Sequence, residues 1–226
     1  MKKKSLLSSI LSCVLIFAVF TSIVSAEEST EQEPQWSEEI VVATPEGQPH
    51  ARIEFIDETK LNQTTPFAGD RRVYRSSFSE VAKNTITAYN IGPREKDIFL
   101  ISVPKGVKKT ISDSKSVSAS VQYSGSVSAT IKSLINIELT GGASGSFSNT
   151  WSKTVEYTGP EGNYTTRDYY GAVNYDQYST VVKTYDVYDE YLGSAYLGRV
   201  NDLVSTQTIT GTKKPKAVEY YRDFNN

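Results

Sequence analysis

Between residues 116 and 131 the chain alternates without interruption. Val117, Ala119, Val121, Tyr123, Val127, Ala129 and Ile131, with Gly125 among them, hold the odd positions. Ser118, Ser120, Ser124, Ser126 and Ser128 fill even positions beside Ser116, Gln122 and Thr130, and no charge occurs in the stretch. Residues 139–152 resume the pattern. Leu139, Ala143, Phe147 and Trp151 are odd, while Ser144, Ser146 and Ser148 are even, with Thr140, Thr150 and Ser152. A two-residue period puts alternate side chains on opposite faces of a strand. The pattern predicts two amphipathic arms within residues 115–157, each with one apolar and one hydroxyl face. If the chain folds back near Ile135, opposed residue numbers sum to 270 and odd meets odd, so the apolar faces of both arms coincide. Tyr123 then meets Phe147, Ala119 meets Trp151 and Ile131 meets Leu139. Lys132 and Glu138 lie beside the tip, and Lys115 and Lys153 at the open end.

The remaining pattern is also strand-like. Residues 52–56, 85–91 and 97–103 read as strands, with a Gly92-Pro93 turn and Pro104 as punctuation. Residues 70–79, carrying Arg71, Arg72 and Arg75, read as an edge strand or loop. After a turn beginning at Thr158, residues 164–173, 178–188, 196–200 and 204–210 alternate well enough for strands. Lys213-Lys214-Pro215-Lys216 is expected to break the last of these, leaving 217–224 as a tail strand or loose end. No stretch shows a helical period over three turns. The fold class expected is all-β: an elongated, mainly antiparallel sheet with a long Ser-rich amphipathic β-hairpin.

The N-terminus alters this picture. Three lysines precede an apolar run from Leu6 to about Val24, and Val24-Ser25-Ala26 presents small residues where a signal peptidase cuts. Residues 1–26 are therefore expected to be a signal peptide cleaved after Ala26, and the protein to be secreted. An uncleaved anchor is the rival reading, since the run nearly spans a bilayer. Cys13 lies inside the run, not after it, which argues against lipidation. It is the only cysteine, so the mature chain is free of disulfides and thiol chemistry. This suits export from a Gram-positive bacterium. Residues 27–50 are acidic and proline-containing and read as a flexible segment, leaving 51–226 as a β-rich domain. Removing Lys2, Lys3 and Lys4 leaves 21 basic against 26 acidic residues, a charge of −5. That balance opposes a nucleic-acid partner.

Catalysis finds little support. His50 is the one histidine, so a Ser-His-Asp triad or a zinc site would rest on it alone. No glycine-rich loop has the context of a phosphate cradle. Asp186, Asp189 and Glu190 lack the spacing and glycine of a calcium loop. The expectation is a non-enzyme with no cofactor and no metal. Ten of fifteen tyrosines fall between Tyr157 and Tyr196. They suit packing on half-buried strands, a stacking platform for sugars, or a membrane belt.

Residues 112–158 resemble the insertion region of aerolysin-like β-pore-forming toxins, the epsilon-toxin and mosquitocidal-toxin type. Those proteins carry two Ser/Thr-rich amphipathic arms around a more apolar tip, here residues 116–131, 134–139 and 143–157. The resemblance implies a soluble, elongated β-protein that oligomerises and contributes one hairpin per subunit to a barrel. Its partners would be a target membrane and further copies of itself. Val117, Ala119, Val121, Tyr123, Val127, Ala129, Ile131, Leu139, Ala143, Phe147 and Trp151 would face lipid, and Ser118, Ser120, Ser124, Ser126, Ser128, Ser144, Ser146 and Ser148 would line the lumen. The chain is short for the family, and Gly141, Gly142 and Gly145 interrupt the second arm. Two other readings stay open. One is a secreted cell-surface or carbohydrate-binding β-module using the tyrosine-rich half, with a glycan or receptor as partner. The other is an exported protein whose hairpin covers an ordinary core, since any half-buried antiparallel sheet alternates in this way.

Overall fold

The computed structural model describes residues 35–37, 40–41, 50–61, 64–67 and 70–225. The signal-peptide assignment and most of the acidic segment at 27–50 lie outside the described residues. The strands in chain order are β1 (Gln35–Trp36), β2 (Ile40–Val41), β3 (Arg52–Phe55), β4 (Thr64–Phe67), β5 (Asp70–Ala88), β6 (Glu95–Pro104), β7 (Lys108–Thr110), β8 (Lys115–Ser120), β9 (Ser146–Trp151), β10 (Glu156–Thr158), β11 (Thr166–Leu192) and β12 (Ala195–Phe224). Among the described residues one α-helix, α1 (Ala129–Thr140), and a short 3-10 helix, Glu58–Lys60, interrupt them. The fold is all-β with antiparallel pairing.

β11 and β12 form one hairpin of 27 and 30 residues. β11 is the spine of the main sheet. It pairs with β12 on one side; on the other it pairs with β6 over its first part and β5 over the rest. β3 and β4 extend β5, while β1 and β2 edge the far end of β12. Two pairs of strands predicted as separate are therefore single strands. The expected break at Lys213–Lys216 does not occur, and Pro215 sits opposite Tyr175 within β12. Proline costs a strand one donor, which is harmless on a side with no neighbour. Among the described residues, β1 and β2 reach only Val218–Asp223, so β12 is an edge at Pro215.

The two sheet faces carry different cores. On one face, Val173, Tyr175 and Ala217 pack with Leu100, Val103 and Ile111 of the β6–β7 region. On the other, Ala172, Val218 and Tyr220 form a small cluster with Tyr170 beside it. Further along, Val81 and Val182 meet helix α1. Two carboxylates buried within the long ribbon, Asp186 and Asp189, are paired. Asp186 receives Lys60 Nζ at 2.6 Å and the Ser77 hydroxyl at 2.6 Å, and Asp189 lies between Arg75 and Arg199. Asp189 is thus a cross-strand ion-pair partner, and Asp186 ties the short helix at Glu58–Lys60 to β11.

Candidate functional site

Segment 115–157 lies against the main sheet as a short hairpin, a loop and a helix. β8 and β9 pair antiparallel, Lys115 with Trp151 and Ala119 with Phe147. Paired numbers sum to 266, four fewer than the fold-back at Ile135 predicts, so odd still meets odd. The reason for the difference is the tip. Residues 129–140 coil into α1, which shortens the connection, and Gly145 turns the chain into β9 at a φ of 65°. Ser128 caps the helix by accepting from the Ile131 N–H, and Gly141 ends it in the left-handed region at φ 78°.

The parity of the sequence is kept through this rearrangement. All eight serines on the hydroxyl face are exposed. Of the eleven apolar positions, nine turn toward the body. Val117 and Trp151 are buried in the β6–β7 core, with Ala119 and Phe147 packed beside them. Ile131 and Leu139 are buried under the helix, with Val121, Tyr123 and Val127 packed around them. Ala129 and Ala143 are exposed. Leu134 and Ile135, at the predicted fold-back, are fully buried and anchor α1 on Val81 and Val182. Burying each such side chain contributes about 1.5–3 kcal/mol.

Three contacts fix the segment in place. Gln122 and Lys213 exchange backbone hydrogen bonds of 3.1 and 2.8 Å, stitching the loop to the free edge of β12. Ser124 lies over Gly211, where a Cβ would sit 2.1 Å from its hydroxyl oxygen. The Trp151 indole lies on Gly171, where a Cβ would come within 2.6 Å of the ring. Glycine at these two positions makes notches in the long strands that admit the segment. The helix is also held from the N-terminal side. Glu138 accepts from the Ala51 N–H at 2.8 Å and pairs with His50 Nδ1 at 2.9 Å. The one histidine is thus a clasp on the helix.

The floor beneath the second arm is polar but poorly matched. The Asn149 amide nitrogen and the Tyr157 hydroxyl are buried with no hydrogen-bond partner among the described residues. The Trp151 N–H faces the Glu219 carboxyl without completing a hydrogen bond. A buried donor left unpaired costs about 1–3 kcal/mol. Burial pushes the Glu219 carboxyl above its ordinary 4.5, partly offset by the Trp151 indole, and pushes the Tyr157 hydroxyl up as well. Tyr123, half-buried beside the helix, is likewise pushed up to about 12 by desolvation and donates to Asn136 at 2.7 Å.

A carboxyl whose folded pKa is raised stabilises the fold below its ordinary value, and that stability is lost as pH rises through the raised value. Glu219→Gln should therefore melt at a higher temperature than the parent at neutral pH. The two should converge below the ordinary carboxyl value of 4.5. Thermal melts across pH check this. A variant less stable than the parent at neutral pH would mean that the carboxylate is well paired.

Within the tyrosine-rich half, Tyr169, Tyr170, Tyr175 and Tyr178, the candidates for a sugar platform, do not share one exposed face. Tyr175 is buried, its hydroxyl bonded to Glu95 and Gln122. Tyr169 packs between Tyr157 and Tyr221, and Tyr178 lies beside the α1 cluster. Tyr170 stacks on Tyr220 on the opposite side, with half-exposed Phe99 edge-on to it. Among the described residues no three histidine, cysteine or acidic side chains cluster as metal ligands.

The helical stripe of α1 was the signal that strand-period reading passed over. Ile131, Leu134, Ile135 and Leu139 follow helical spacing between a serine and a glycine suited to cap them. Comparison with protein-family models, with curated proteins and with solved structures returned no match.

Proposed function

We propose that the protein is an exported pore-former in which residues 115–157 leave the sheet and enter a membrane as a β-hairpin, one from each subunit of a ring. One observation carries this reading. The segment's two faces are already sorted, hydroxyls outward and apolar groups inward, on a chain with no charge from 116 to 131. Release would expose an apolar face of the kind a bilayer accepts, while the serines keep theirs toward water. Helix α1 stores length for the same purpose. Its 12 residues span about 18 Å as a helix and about 40 Å when extended. The Asn149 and Tyr157 groups left without partners among the described residues and the raised Glu219 carboxyl weaken the seat of the docked arm.

Dye-loaded liposomes provide the direct test. The purified protein should release dye and form detergent-resistant rings. A polarity-sensitive label at Val117 or Phe147 should move into an apolar environment, and one at Ser120 or Ser146 should stay aqueous. No release and no ring at any protein concentration would refute the proposal.

A second reading has one observation behind it. Phe99, half exposed beside the Tyr170–Tyr220 stack with Arg94 3.8 Å above the Tyr220 ring, offers a small aromatic surface for a glycan. It would require that cell-wall glycans bind and that Phe99→Ala abolish the binding; a glycan array without hits ends it.

A further inference from the structure

Far from the insertion segment, the turn of the β11–β12 hairpin carries large apolar side chains in solvent. Leu192, Tyr196 and Leu197 are 58%, 55% and 59% exposed. Leu197 is the unpaired residue of a bulge, between the Tyr191–Tyr196 and Glu190–Gly198 pairs. Bulges re-aim side chains, and this one places a leucine outward beside the turn. Exposed apolar residues scattered singly are ordinary, but a cluster at one tip marks an interaction site.

Arginines surround the tip. Arg71 stacks over the Tyr191 ring at 4.9 Å, and Arg75 and Arg199 keep exposed guanidinium faces while sharing buried Asp189 between them. Glu190 and Asp202 are engaged together by Arg72. Leucine at the end, tyrosine behind it and arginine around it match the three layers of a lipid surface: acyl chains, interface and phosphate headgroups. A hairpin end is also a protrusion, which can enter a fluid surface without a groove made to receive it.

We infer that the β11–β12 turn is a lipid-docking tip, through which the protein adsorbs on membranes before and independently of any insertion by residues 115–157.

Co-sedimentation with phosphatidylcholine vesicles, with and without phosphatidylserine, tests it on the full chain. The wild type should sediment with the vesicles, more strongly when phosphatidylserine is present. Leu192→Ser with Leu197→Ser should weaken sedimentation by about tenfold per leucine, with an unchanged thermal melt because both side chains are exposed. Arg71→Gln should remove part of the gain from anionic lipid. Gly125→Arg, altered only in the insertion segment, should sediment normally. If that variant sediments but releases no dye, docking and insertion are separate steps; a wild type that sediments without releasing dye fails the pore reading and leaves the docking tip standing. The inference is overturned if the wild type ignores both vesicle types. It is overturned equally if the double serine variant sediments unchanged, or if the tip variants alter the oligomeric state without lipid, since a second copy would then be what covers the tip.

Discussion

Gly125→Arg should leave the soluble protein folded and abolish dye release, while Ser126→Arg, one residue on, should keep release and alter ion selectivity. Both residues are exposed, and a Cβ at Gly125 would meet nothing within 4 Å. In the docked state the two substitutions are therefore equivalent surface changes. In a barrel they differ by parity: residue 125 faces lipid and residue 126 the lumen. An arginine on the lipid face costs about 2–4 kcal/mol near mid-bilayer, repeated in every subunit of a ring. Val127 is a poorer choice, because it packs beside the α1 cluster and an arginine there would disturb the soluble fold as well. Equal loss of release in both variants, or in neither, would show that the odd face does not meet lipid.

A disulfide between positions 122 and 213 should switch release off, and reduction should restore it. Gln122 and Lys213 are directly opposed and exchange both backbone hydrogen bonds, an arrangement that brings Cα atoms to about 5.5 Å. Disulfides join Cα atoms about 4.4–6.8 Å apart, so Gln122→Cys with Lys213→Cys can close without moving either strand. The sequence's only cysteine, Cys13, lies in the predicted signal peptide, so the pair would have no competitor in the mature chain. The oxidised protein should melt no lower than the parent, release no dye and form no resistant ring. Full release from the oxidised form would mean that the segment need not leave β12.

Comparing the alternation with the fold shows what a two-residue period can and cannot disclose. The eight serines lie outward as their parity requires, because parity survives both a register shift of four and a helix. A step of four residues is even, so Ile131, Ile135 and Leu139 satisfy a strand period and a helical stripe equally. Ser133 at an odd position and Leu134 at an even one break the alternation, and Leu134 gives the helix away. The length of β11 and β12 was hidden for a different reason. Pro215 ends a strand only where a neighbouring strand needs its donor, and among the described residues β12 has no neighbouring strand there. The notches at Gly171 and Gly211 were illegible because their meaning lies in Trp151 and Ser124, distant in sequence. The Glu138 clasp on His50 and Ala51 was hidden in the same way, across 87 and 88 residues.

The great length of the β11–β12 hairpin also sets an order of events in time. Its strands meet first at the turn, where Leu192 and Ala195 are three residues apart, and last where Thr166 meets Phe224 across 58. Closing a short loop before a long one costs less entropy at each step, so the ribbon zips from its turn toward its far end. Gly171 and its partner Glu219 belong to that late end, so the seat for Trp151 is built after most of the ribbon exists. Residues 115–157 precede both long strands in the chain, so their seat cannot exist until the strands that follow have paired. The hydroxyl face and the lysines at 115 and 153 keep the waiting segment in solution. Its attachment should come after the ribbon has paired, and on warming it should be the first structure lost, with the ribbon still zipped behind it.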